Sequence, residues 1–83
     1  MILVTFHSVS SVLYLETLLR ERRVRCAIIP VPRALGSSCG YAAEIDENDM
    51  GAPELKRVMA DAIEWEGIYE GAPDFALIER ARE

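Results

Sequence analysis

Apolar residues recur along this chain at two spacings, alternate positions and every third or fourth position, and the change from one to the other marks out the elements. Ile2 to His7 (ILVTFH) is β-branched and aromatic, with Ile2, Val4 and Phe6 on one face and Leu3, Thr5 and His7 on the other. Both faces are largely apolar, which predicts a strand in the middle of a sheet. From Ser8 to about Arg22 the spacing lengthens: Val12, Leu15 and Leu19, with Leu18 at the margin, form a helical stripe. Ser8 is placed to cap that helix, and Glu16 stands four residues before Arg20 in the favourable order. Leu13 and Tyr14 fall off the stripe, either exposed or set against another chain. Val24 to Val31 (VRCAIIPV) returns to strand character. Pro30 cannot donate to a ladder, so that strand belongs at an edge or ends near it. Cys26 shares a face with Val24 and Ile28, which turns it towards the helices as a buried structural thiol.

Tyr41 to Asp46 (YAAEID) predicts a third, shorter strand, and Glu47 to Gly51 a turn. Ala52-Pro53 opens a second helix, with proline in the tolerated first turn. Leu55, Val58, Met59, Ala62 and Ile63 repeat at three and four, while Glu54, Lys56, Arg57, Asp61 and Glu64 cover the other side. Trp65 to Glu70 (WEGIYE) predicts a fourth strand with Gly67 inside it. Pro73 to Glu83 predicts a short terminal helix through Phe75, Leu77 and Ile78, or else a tail that docks or stays loose.

Strand, helix, strand, strand, helix, strand is the order of an α+β, ferredoxin-like βαββαβ domain: a four-stranded antiparallel sheet with two helices on one face. Right-handed crossovers place the third strand between the first and second, and the fourth on the other side of the first. The expected organisation is one domain over residues 1–70 and a tail or short helix over residues 71–83. The open sheet face would present Leu3, Thr5, Ala27, Ile29 and Ala42, apolar enough to invite a partner or a homodimer.

Charge narrows the function. A net charge of −5 over 83 residues argues against a nucleic-acid partner, which needs a basic excess. The one basic cluster, Arg20, Arg22, Arg23 and Arg25, closes a predicted helix, where cations complement the dipole. Ile2 to Phe6 is too short to span a membrane and lacks the pattern of a signal peptide, so a cytoplasmic protein without membrane contact is expected. Two cysteines with twelve residues between them make no disulfide framework, and in the cytosol both stay reduced.

One loop holds most of the unusual chemistry. Ile29 to Gly40 (IPVPRALGSSCG) begins as strand, is stiffened by Pro30 and Pro32, carries Arg33, and ends in small residues around Cys39. Prolines fix the backbone, glycines free it, and serines supply hydrogen bonds without bulk. The topology brings this loop to the sheet edge where the first strand ends. Cys39 would then approach His7, Ser8 and the first helix N-terminus, and imidazole, arginine and helix dipole all favour a thiolate. Ser37 and Ser38 would donate to a bound anion or a terminal sulfur, and Gly40 would let an incoming group approach. Against this, a lone histidine at a strand end is more often a surface or capping residue. Arg33 has acidic side chains to pair with, and the prolines are first of all rigidifiers. Metal binding lacks its ligands, with no CxxC and a single histidine. Gly36 and Gly40 make no phosphate or dinucleotide fingerprint, no serine stands in a nucleophile elbow, and no cofactor is expected.

The chain resembles the putative selenium/sulfur carrier protein-like family through TFHS (Thr5 to Ser8), IPVPR (Ile29 to Arg33), SSCG (Ser37 to Gly40) and EGIYE (Glu66 to Glu70). The resemblance covers roughly the first seventy residues, and IPVPR followed by SSCG is its most specific part. It implies that Cys39 is the sulfur or selenium acceptor. A non-enzymatic carrier would take a persulfide or perselenide from a donor such as a cysteine desulfurase and pass it to an acceptor protein. The alternative is a ligand-sensing or interaction module in which Cys39 is only a small residue. A thiol-dependent transferase is third, because so short a chain offers no second layer to enclose a substrate.

Overall fold

The N-terminal alternation becomes strand β1 (Ile2–Thr5), with all four residues buried, in the middle of a five-stranded sheet ordered β2-β3-β1-β4-β5. The computed structural model describes residues 1–60, 62–71 and 74–81. The other elements are α1 (Val9–Glu21), β2 (Cys26–Pro30), β3 (Tyr41–Ile45), α2 (Ala52–Met59), β4 (Gly67–Glu70) and β5 (Ala76–Arg80). Every strand pairing is antiparallel. The third strand lies between the second and the first, and the fourth flanks the first on its far side.

Local chemistry sets the ends of α1. The Ser8 hydroxyl accepts from the Ser11 amide at 3.3 Å, which satisfies one of the free amides of the first turn. At the other end Arg23 takes a positive φ of 60°, and the Val24 amide reaches back to the Leu19 carbonyl at 2.8 Å. The stripe Val12, Leu15 and Leu19 is fully buried, while Leu13 and Tyr14 are about half exposed. These side chains meet Ile2, Val4 and Phe6 from β1, Ala43 and Ile45 from β3, Leu55 and Met59 from α2, and Ile68 from β4. Both helices therefore cover the same sheet face. Each large aliphatic side chain buried there contributes about 2 kcal/mol of transfer free energy. Cys26 packs at the margin of this core with Val24, half-buried rather than buried, while Ile28 of the same expected face is exposed.

Four expectations need correction. The sheet has five strands rather than four, because the tail, expected as a short helix or as a segment that docks or stays loose, docks on the sheet as β5. FALIER satisfies both a short helical stripe and an alternating strand, and the open edge of β4 decides between them by offering a ladder. Gly71 turns the chain at φ +87°, and β5 pairs with β4 around a bulge between Ile68 and Tyr69. The parts of the tail expectation that fall on Pro73, Arg82 and Glu83 lie outside the described residues, as does Asp61.

The second helix ends at Met59 rather than running on through Ile63. Ala60 takes a φ of 30°, and the amides of Ala62 and Ile63 both turn back to the Met59 carbonyl. Ile63 still reaches the core from this turn, so the apolar spacing outlasts the helix that it predicts.

The sheet face away from the helices is not open. Leu3, Thr5 and Ala42 are buried, Ile29 is half-buried, and of the five residues expected there only Ala27 is exposed. Leu3, Ala42 and Tyr69 form a second small core, covered by Val31 and Leu35 from the proline-rich loop and by Phe75. The loop covers the surface through which a homodimer was expected. That cover also fixes the loop to the sheet.

Candidate functional site

The loop between β2 and β3 leaves the sheet edge at Pro30, which pairs with Tyr41. The Val31 amide then donates to the Gly40 carbonyl at 3.0 Å, closing the neck of the loop. Within it the Leu35 amide bonds the Pro32 carbonyl at 3.0 Å, a tight turn that tucks the Leu35 side chain under the sheet. Gly36 (φ +68°) and Gly40 (φ +80°) then bracket the SSC segment in left-handed conformations that other residues adopt only with strain. A Cβ on Gly40 would meet nothing within 4 Å, so the glycine is there for backbone freedom rather than for lack of space.

Ser37 and Ser38 converge on one carboxylate, that of Glu66. Ser37 Oγ lies 3.1 Å from Glu66 Oε1 and 3.1 Å from the Phe6 carbonyl, sharing one proton between two acceptors. The Ser38 amide donates to Glu66 Oε1 at 3.3 Å, and its hydroxyl to Glu66 Oε2 at 3.0 Å. His7 Nδ1 stands 3.5 Å from the same Oε2. Glu66 is itself fixed by its backbone. Its amide bonds the Thr5 carbonyl at 2.7 Å, and its carbonyl accepts from the Ala81 amide at 2.9 Å. Partial burial alone would raise the Glu66 carboxyl pKa. The Ser38 amide and hydroxyl, the Ser37 hydroxyl and the His7 ring outweigh that effect and hold it below the ordinary value.

Cys39 follows this anchored pair directly. Its side chain is half-buried against the helix-side core, and among the described residues its sulfur hydrogen-bonds only to Tyr41. The thiol donates to the Tyr41 carbonyl at 3.2 Å, and the sulfur stands 3.5 Å from the Tyr41 amide. Both cysteines are free thiols. Burial, reinforced by the nearby negative charge of Glu16, pushes the Cys26 thiol up to about 11, which keeps it protonated and unreactive near neutral pH.

The sequence-predicted residues therefore separate into groups. His7, Ser37 and Ser38 are brought together, but around Glu66 rather than around the sulfur. Ser8 serves as the α1 cap. Arg33 is exposed and forms no ion pair with a described residue. Gly40 closes the loop. Glu66 is the centre of the arrangement, a role that the sequence pattern alone does not assign to it. Its signal lay within EGIYE, as a carboxylate placed just before the glycine that opens a buried strand.

Beside the loop lies an open groove of about 420 Å³, on whose wall Leu35, Ser37, Ser38, Glu66, Tyr69 and Arg80 meet. Among the described residues no group of three or more His, Cys, Asp or Glu side chains is placed to hold a metal ion. No described helix is long and apolar enough to cross a membrane.

No curated protein and no solved structure matches the chain. A family model described as "Putative Se/S carrier protein-like" matches residues 1–70, spanning β1 to β4 and every loop residue discussed above, and the chain belongs to that family.

Proposed function

We propose that this protein is a non-enzymatic carrier that accepts sulfane sulfur or selenium on Cys39 and delivers it to a partner protein. The observation that carries the reading is the loop itself. It sets a free thiol directly after a serine pair fixed to the sheet, in a chain whose other thiol is held protonated by burial. Membership of a Se/S carrier-like family supports the same reading. The first four strands and two helices are read as a ferredoxin-like domain, and the expected setting is the cytoplasm.

The chemistry is a redox-neutral transfer. The Cys39 thiolate attacks the outer sulfur of a donor persulfide, such as one formed on a cysteine desulfurase. The donor S–S bond breaks, the donor cysteine leaves as a thiolate, and Cys39 holds the S–SH group with its proton. A perselenide follows the same course with selenium as the outer atom. Delivery is the reverse attack by the acceptor's thiolate. No electrons are gained or lost overall, so no cofactor is required.

The test is intact-protein mass spectrometry with peptide mapping after incubation with cysteine and a cysteine desulfurase. A one-sulfur gain on Cys39, reversed by a dithiol, absent in Cys39→Ser and retained in Cys26→Ser, is the expected result. Equal loading of the two single variants sinks the proposal.

The groove favours a second reading, a ligand-binding module. Its hydroxyls, the Glu66 carboxylate and the Arg80 guanidinium offer polar groups of both signs to a small molecule. Cys39→Ala separates the two, because groove binding survives that change and carrier activity does not.

A further inference from the structure

We infer that Glu66 is the positioning residue of the Cys39 loop, a carboxylate latch that holds Ser37 and Ser38 to the end of β1 and thereby sets the position of the thiol. The functional meaning rests on the carrier reading. The latch itself does not.

The argument begins with what holds the loop. Between the neck at Val31 and Gly40 and the Leu35 turn, the segment from Gly36 to Cys39 has no place in the sheet, and two left-handed glycines give its ends freedom. Three loop donors close on Glu66: two hydroxyls and one amide, at 3.0 to 3.3 Å. Bonds to an ionised acceptor are roughly twice as strong as neutral ones. The carboxylate is carried by a backbone clamped between Thr5 and Ala81, so the latch transmits the position of the sheet rather than moving with the loop. Cys39 is the next residue after Ser38, and among the described residues its sulfur hydrogen-bonds only to its own strand entry at Tyr41.

The latch also sets aside the donors that a carried anion would use. Ser37 and Ser38 are engaged with Glu66 in this state, and protonating the carboxyl removes the negative charge that holds them. Among the described residues, the charged groups facing Glu66 are His7, 3.5 Å away at the β1–α1 junction, and Arg80, on the wall of the same groove. Both favour the ionised, latched form when they are cationic.

The test compares iodoacetamide modification of the two cysteines in the full chain. In Glu66→Ala, Cys39 should react about tenfold faster, the scale expected for loss of a charge-assisted hydrogen bond, with Cys26 unchanged as the internal reporter of global opening. Glu66→Asp should recover part of the protection. A rise in both cysteines in the same proportion would mean general destabilisation and overturn the latch, as would no change at Cys39. Should the variants fail to fold, the wild type still decides. The Ser38 amide proton resonance should move upfield on acidification, tracking the Glu66 carboxyl, while the Val4 amide stays in place. A Ser38 resonance indifferent to that titration overturns the inference. If the wild type never loads sulfur, the carrier reading fails while these measurements still report on the latch.

Discussion

The Ser38 hydroxyl donates to Glu66 Oε2 at 3.0 Å, joining two residues that lie 28 positions apart in the chain. Ser38 belongs to a surface loop between two strands, and Glu66 to the entry of a third strand across β1. The contact forms because β1 separates β3 from β4, which brings the β2–β3 loop and the start of β4 to the same end of the sheet. The His7 ring closes the cluster from the β1–α1 junction.

Acid should weaken the fold through Glu66. Its folded pKa is depressed below the reference value of 4.5, so its stabilisation is fully present above that pH and is lost as pH falls through the folded value. Urea unfolding of the wild type and Glu66→Gln should show a constant stability difference near neutral pH, narrowing below about pH 4.5. A difference that widens on acidification would contradict the assignment.

Alkali should act through Cys26. Its thiol stays protonated in the fold up to about 11, whereas the unfolded chain loses that proton near 9.0. The unfolded state therefore binds fewer protons across this window, and stability should decline as pH rises through it. Cys26→Ala should flatten that part of the profile in denaturant melts. An identical slope in the variant would show that another group is responsible.

The two glycines of greatest structural consequence should fail differently on conversion to alanine. At Gly40 the space is open but φ is +80°, so Gly40→Ala should cost about 1–2 kcal/mol through backbone strain. At Gly67 the new Cβ would come within 3.1 Å of Tyr69 Cε1 and 3.4 Å of Leu77 Cδ1, a packing fault of roughly 1–3 kcal/mol. Chemical denaturation gives both values. Tyr69 fluorescence or ring resonances should shift only for Gly67→Ala.

Neighbouring residues on α1 should show the sidedness of the helix. Leu15 is fully buried, and Leu15→Ala should cost about 2–5 kcal/mol. Leu13 is 51% exposed, and Leu13→Ala should fall within about 0.5 kcal/mol of the wild type. Comparable losses at the two positions would mean that Leu13 is covered in solution by another chain.

The sequence by itself determined the elements whose signal is local. The stripe of Val12, Leu15 and Leu19 is a helix because its period matches 3.6 residues, and Ser8 caps it because a hydroxyl there reaches a free amide. Ile2, Val4 and Phe6 form the helix-side face of a central strand because they alternate as apolar residues, and Pro30 marks an edge because it lacks a donor. Handedness rules then fixed the strand order from those elements. Tertiary structure decided what depends on distant partners. FALIER became a strand because β4 had an unpaired edge, a fact that no local pattern carries. Leu3 and Ala42 became core because Val31, Leu35 and Phe75 came to cover them. Glu66 became the centre of the candidate site for the same reason. A carboxylate in sequence is one solvated charge among 14 acidic residues, and only the fold places three loop donors and a histidine around this one.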